Sequence, residues 1–331
     1  MLVTGSDKVK KLFNRIAEVN RVYFHAGCAD GIMARNIFRL VLEDLSFNRP
    51  DLQEKLNDSS FWFPASPSSK LTIHPTSIFF DMAPKADQFE DFLKAGALVF
   101  DHHSSNKHLF DKYKDQYPDQ LFFSEDGSGT WLAYEVAEIY SMYSGIKKIG
   151  SNNLYSLFDL CKVASYISAS DTWNQSDPIK FDTGRALAIL IGMIGNDYWD
   201  IPDSYFINTA KEMYKASEKR MIRHAEKVEI VDHCGVKIGF MNTNEDTSNM
   251  AEYLRNSIGL NLLVGYMHTI DKDTKELLTT FSMRSDDNFS CKDISLRNGG
   301  GGHDKASGMI IPRVLDVVSF IKSEVEQIKG E

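Results

Sequence analysis

Over the first two-thirds of the chain, short apolar runs alternate with amphipathic stretches. The runs at 21–24, 77–80 and 97–100 are apolar at nearly every position, which predicts strands buried on both faces. Between them, 31–45 sets Ile32, Met33, Ile37, Leu40 and Val41 on one helical face, and the same spacing predicts helices at 87–95, 129–143, 154–168 and 181–194. Alternating strands and helices predict a mainly parallel sheet with helices on both faces. The stretch 204–227 reads as a long charged helix with sparse apolar positions, the pattern of a connector. After it come β-like runs at 228–231, 236–241, 262–268 and 277–283, with helices at 247–258 and 314–328. The expected organisation is an α/β domain at 1–203, a connector helix at 204–227 and a smaller α/β domain at 228–331. A cleft between the two domains is the default place for a ligand.

The predicted strands end in unusual company. The run 97–100 is followed at once by Asp101, His102 and His103. Val22-Tyr23-Phe24 leads to His25, Cys28 and Asp30, the run 77–80 leads to Asp81, and Ile167 is soon followed by Asp171. In open α/β sheets the carboxyl ends of the strands are where ligands bind. Four such ends that converge predict a polynuclear metal site. Carboxylates with imidazoles suit Mn²⁺, with Zn²⁺, Fe²⁺ or Co²⁺ as alternatives, and two ions about 3.5–4 Å apart suit in-line displacement at phosphorus. Asp81 can bridge the ions, Asp171 and His102 can hold one, and His25 and Asp30 divide between the pair.

Bulk numbers narrow the partners. The 331 residues carry a net charge of −9, which argues against coating a long duplex but not against a small anion held by cations. The four cysteines, Cys28, Cys161, Cys234 and Cys291, form no CxxC pair, so reduced thiols in a cytoplasm are expected. Residues 1–11 lack the apolar core of a signal peptide, and no apolar stretch approaches the ~20 residues of a membrane span.

The order of motifs resembles the DHH phosphoesterase superfamily: His25 to Gly31, Asp81-Met82-Ala83-Pro84, Asp101-His102-His103 and Ser170-Asp171-Thr172-Trp173. The C-terminal part resembles the DHH-associated domain through Arg284-Ser285 and Gly299-Gly300-Gly301-Gly302-His303, with Ala306 and Gly308. The resemblance spans nearly the whole chain. It implies two divalent cations, Mn²⁺ favoured, with His25 and Asp81 on the first and Asp30, Asp81, His102 and Asp171 on the second. It implies that His103 contacts the scissile phosphate or assists the leaving group, that Asp101 orients a histidine, and that Arg284, Gly300, Gly301, Gly302 and His303 bind the rest of the substrate. Where the family has an acid this chain has Cys28, a softer ligand when ionised and a weak one when neutral, so the second site is expected to fill first. The implied activity is hydrolysis of small nucleotide-type phosphoesters by a metal-bound hydroxide. Candidate substrates are short oligoribonucleotides, 3′-phosphoadenosine 5′-phosphate, cyclic dinucleotides and polyphosphate. The chain has no room for the extra domains of a RecJ-type exonuclease. A non-catalytic nucleotide-binding protein with a degraded metal site, or a polyphosphate or pyrophosphate hydrolase, is the competing reading. The oligomeric state stays open, a homodimer included.

Bland readings stand beside several of these residues. Asp81 suits a turn and Asp171 a helix cap. Cys28 suits a small buried apolar group, Arg284 a surface charge, and the glycine run a flexible turn. The run Gly127-Ser128-Gly129 reads as a helix start that can also face an anion. Trp173 is expected in the core. His74, His108, His224, His233 and His268 lack supporting neighbours and read as structural or exposed.

Overall fold

A computed structural model describes residues 5–66, 69–150, 154–243, 246–271 and 274–330. Of the N-terminal stretch read as lacking a signal-peptide core, Met1 to Thr4 lie outside them. The chain divides into two compact units, Met1–Tyr214 and Lys215–Glu331.

The first unit is built on β1 (Arg21–His25), β2 (Trp62–Ala65), β3 (Ser77–Phe80), β4 (Leu98–Asp101) and β5 (Leu121–Phe123). All neighbours are parallel, in the order β2-β1-β3-β4-β5. Its helices are α1 (Ser6–Ala17), α2 (Ala29–Ser46), α3 (Pro50–Asn57), α4 (Ala86–Lys94), α5 (Lys107–Tyr113), α6 (Gly129–Ser144), α7 (Leu157–Asp171) and α8 (Pro178–Ile194), with a short ribbon of β6 (Lys148–Ile149) and β7 (Tyr155–Ser156). Strand side chains alternate between faces. Val22, Phe24, Ile78, Phe80, Leu98 and Phe100 pack against residues of α1, α2, α6, α7 and α8. Tyr23, Phe79 and Val99 pack against Phe89, Phe92, Leu109 and Phe110 of α4 and α5. That two-sided burial is why these strands read as unbroken apolar runs. After β1 the chain passes to β2 on one side and then returns to lay β3 on the other. The gap between the carboxyl ends of β1 and β3 is therefore the topological switch point, where doubly wound sheets bind ligands.

Several boundaries differ from the sequence reading. The third predicted strand is shifted by one residue, so Asp101 lies within β4. The helix expected at 154–168 ends on Asp171 itself. β2 and β5 are among the strands that escaped prediction. β2 contains Pro64, which lacks a ladder donor and is tolerated because β2 is an edge, and β5 has only three residues. α1 was also missed; it buries Leu12, Phe13 and Ile16 beneath a charged surface.

The helix α9 (Ser204–Ala225) runs across the division of the chain. The second unit holds β8 (Glu229–His233), β9 (Val236–Met241), β10 (Leu262–Ile270), β11 (Leu277–Ser285), β12 (Gly301–His303) and β13 (Ala306–Ile311), with α10 (Thr247–Ile258), α11 (Cys291–Arg297) and α12 (Val317–Gly330). The sheet order is β12-β13-β11-β10-β9-β8, and only β9 and β10 pair in parallel. The glycine run expected as a loop instead supplies β12, an edge strand. A side chain on Gly300 would meet the Gly308 carbonyl oxygen, and one on Gly302 the Ala306 carbonyl oxygen, so both glycines are demanded by close backbone approach. Among the described residues, no helix is long and apolar enough to cross a membrane.

Candidate metal centre

Each strand end at the switch point contributes a donor. His25 is the last residue of β1. Asp81 follows β3 with φ of 59°, a left-handed backbone that aspartate tolerates better than most residues; its N–H donates to the Phe100 carbonyl. β4 ends on Asp101, leading directly to His102 and His103. Cys28 precedes α2, Asp30 lies in the first turn of α2, and Asp171 closes α7.

The structure brings these groups together. His102 Nε2 lies 3.0 Å from Asp81 Oδ1, 3.3 Å from Asp171 Oδ2 and 3.7 Å from Asp30 Oδ2. His25 Nδ1 lies 3.4 Å from Asp81 Oδ2. Three overlapping donor sets result, each with its ligand atoms within 4.8 Å of one another: His25, Cys28 and Asp81; Asp81, His102 and His103; Asp30, His102 and Asp171. Asp81 belongs to two of them.

Asp101 is fully buried and consumed differently. Its Oδ1 accepts from the His103 ring Nδ1 at 2.8 Å and from the His102 backbone N–H at 2.8 Å, and its Oδ2 accepts from Asn106 Nδ2 at 2.6 Å. It thereby holds His103 rather than joining a donor set. Burial disfavours a charged His103, but the Asp101 hydrogen bond and the Asp101 and Asp81 charges prevail and raise its pKa to about 9.

Asp30 has a second partner that sequence reading missed. Its carboxylate accepts from Ser128 Oγ at 2.6 Å, Gly129 N–H at 2.6 Å and Thr130 N–H at 2.9 Å. The carboxylate thus caps α6 and sits at the positive end of its dipole. The anion faced by the Gly127-Ser128-Gly129 run is the protein's own. Two glycines make this possible: a side chain on Gly129 would land on Asp81 Cβ, and one on Gly31 on the His25 backbone. Farther out, Gly27 N–H donates to Asn196 Oδ1 at 3.0 Å, and the buried Arg35 donates to the Asn196 carbonyl at 2.7 Å. These contacts brace the loop between His25 and Cys28.

The electrostatics call for positive charge. Burial, then the Asp81 and Asp171 charges, push the Asp30 pKa up. Burial and Asp81 raise Asp171 to about 6. Burial opposes a charged His102, yet Asp81, Asp30 and Asp171 raise it to about 10. Burial, followed by the charges of Asp81, Asp171 and Asp30, raises Cys28 and keeps its thiol neutral. Asp81 itself is lowered: burial acts upward, but the imidazoles of His102 and His25 beside it outweigh that. His25 Nδ1 and Asp81 Oδ2 are both buried without a well-aligned hydrogen-bond partner. An imidazole nitrogen and a carboxylate oxygen facing each other in a carboxylate cluster fit a cation between them. Beside the cluster opens a pocket of about 200 Å³, lined by His25, Asp81, Pro84, Lys85, His103 and His108 among others.

In the second unit, Arg284 is half-buried on β11. Its Nε donates to Ser248 Oγ at 2.8 Å and its Nη1 to the Met283 carbonyl at 2.8 Å; burial lowers its pKa. Arg284 is opposite Ala306, which is opposite His303. Residues opposed across a sheet share a face, so Arg284 and His303 flank the small Ala306 on one side. Gly301 faces open space. Trp173, expected in the core, is 39% exposed. His233, expected to lack neighbours, lies against Glu326.

A doubly wound parallel sheet with carboxylates and imidazoles gathered at its switch point defines an α/β protein with a candidate metal centre. No family model and no curated protein sequence matches the chain. Among solved structures it is similar to a DHH-domain protein described as a member of a family of ribosomal proteins, at 12% identity over 99% of this chain and 93% of that one, with a TM-score of 0.56. It is also similar to an exopolyphosphatase-related protein from Bacteroides fragilis, at 11% identity over 100% of this chain and 98% of that one, with a TM-score of 0.55. The chain shares its fold with that DHH-domain protein and with the exopolyphosphatase-related protein.

Proposed function

We propose that the chain is a metal-dependent phosphoesterase that hydrolyses small nucleotide-type phosphoesters. The observation that carries this reading is the cluster of Asp30, Asp81, Asp171, His25 and His102 at the switch point, with two buried donor atoms left unpaired. The fold it shares with a protein described as exopolyphosphatase-related is consistent with phosphorus chemistry. His25, Cys28 and Asp81 would hold one divalent cation and Asp30, Asp81, His102 and Asp171 the other, Mn²⁺ being favoured by the mixed oxygen and nitrogen donors. Such cations, when bound, supply Lewis acidity toward a phosphoryl oxygen and acidify a water. The chain's own contribution begins with Asp101, which accepts from His103 Nδ1 and so fixes its tautomer. That leaves His103 Nε2 to carry a proton to the leaving oxygen. The pocket beside His103 would seat the group next to the scissile phosphate.

Cys28, standing where the resembled family carries an acid, favours a second reading, a nucleotide-binding protein with a weakened metal site. The two separate in one experiment: Mn²⁺-loaded protein is offered a linear dinucleotide, a cyclic dinucleotide, a 3′,5′-bisphosphate nucleotide, polyphosphate and pyrophosphate. Turnover of an organic ester is expected. Turnover of pyrophosphate or polyphosphate alone would move the chain to inorganic substrates, and binding without turnover under every divalent cation would favour the second reading.

Asp101→Asn is expected to lower kcat by about 10–100-fold while leaving the bound metal in place, because an amide no longer enforces the His103 tautomer. Wild-type kcat in that variant would remove Asp101 from its positioning role.

A further inference from the structure

A second set of metal-capable donors lies wholly within Lys215–Glu331. A two-residue turn, Cys234 and Gly235, joins β8 to β9, with His233 opposite Val236. Both turn residues have positive φ, 50° and 73°, as tight hairpin turns require. Cys234 at the tip is exposed. Glu326, on α12, brings its Oε1 to 2.9 Å from His233 Nε2. The pair is not aligned as a hydrogen bond, for Nε2 is buried with no hydrogen-bond partner. His233, Cys234 and Glu326 each offer a ligand atom, and the three atoms lie within 4.8 Å of one another. Apolar packing holds the two elements in place, since Val231, Val236, Val325 and Ile328 share one cluster.

We propose that His233, Cys234 and Glu326 form a zinc site that ties the β8–β9 hairpin to α12, with water as the fourth ligand. The donor set is one imidazole nitrogen, one sulfur and one carboxylate oxygen. That mixture suits tetrahedral Zn²⁺, whereas Mg²⁺ and Ca²⁺ demand oxygen. Tetrahedral donors about 2.0–2.3 Å from zinc stand roughly 3.3–3.7 Å apart, so small side-chain rotations close the site. Binding deprotonates Cys234, forms the Zn–S bond and releases the thiol proton to water. The site uses no residue of the centre at the switch point.

Alkylation of Cys234 tests this independently of catalysis. The full chain is treated with iodoacetamide, and labelling of the Cys234 peptide is followed by mass spectrometry with ZnCl₂, with MgCl₂ and with neither. Zn²⁺ is expected to slow labelling at Cys234 by about tenfold or more, because a coordinated thiolate is a poor nucleophile; Mg²⁺ leaves the rate unchanged. In His233→Ala and in Glu326→Gln, Zn²⁺ loses this effect. No slowing in the unmodified chain, equal slowing by Mg²⁺, or slowing that survives in either variant overturns the proposal.

Discussion

Asp81→Asn is expected to abolish the proposed Mn²⁺-dependent phosphoester hydrolysis, with a fall of about a thousandfold or more, and to lower the metal that copurifies or can be titrated in. Asp81 is the one carboxylate shared by the His25–Cys28 set and the His102–His103 set. Removing its charge therefore weakens both. Asparagine is the informative replacement, because it accepts the left-handed backbone at this position, whereas alanine would add backbone strain of roughly 1 kcal/mol. In the absence of metal the variant is expected to lose some stability, since the imidazoles of His102 and His25 hold the Asp81 carboxylate in its charged form in the folded chain. Metal binding by calorimetry and initial rates on a chromogenic phosphodiester check the two halves separately. Activity within tenfold of the unmodified chain would remove Asp81 from the proposed chemistry.

Gly129→Ala is expected to damage stability and activity together. The new methyl would sit on Asp81 Cβ, 2.9 Å from Asp81 Cα and 3.0 Å from Asp30 Oδ2. Relief requires α6 to withdraw or the β3 end to move, and Asp30 is bonded to the same helix start. Overpacking of this kind costs about 2–3 kcal/mol, which for a unit of this size lowers Tm by roughly 5–10 °C. A shift of the donors by about 1 Å would lower turnover by about a hundredfold. Gly192→Ala is the matched control. It lies on α8 with open space around the added methyl, so alanine's helix propensity should raise stability by about 0.5–1 kcal/mol with turnover unchanged. Melting curves and rates for the pair decide the matter; an unaltered Tm and rate in Gly129→Ala would mean that the helix start moves freely.

Much of the first unit was legible because its chemistry and its burial are both local in sequence. Central parallel strands are covered on two faces, so 21–24, 77–80 and 97–100 announce themselves as apolar runs, and the donor that ends each run follows in the next residue or two. The misses have equally local causes. Pro64 disguises β2 as a non-strand, since only edge position makes proline acceptable there. α1 hides three buried residues among lysines. The glycine run 299–302 looks like a loop because glycine says where a backbone is permissive, not which backbone approaches it.

What the chain alone determined is the set of donor types and their placement at strand and helix ends, because hydrophobic period and residue identity are properties of neighbours along the chain. Tertiary structure alone decided which donors share an ion-sized space, that the Asp30 carboxylate caps a helix beginning about a hundred residues later, that Asp101 serves His103, and that Glu326 meets His233. Those pairings depend on strand order and helix packing, which bring distant residues within a few ångströms and leave no periodic trace in the sequence.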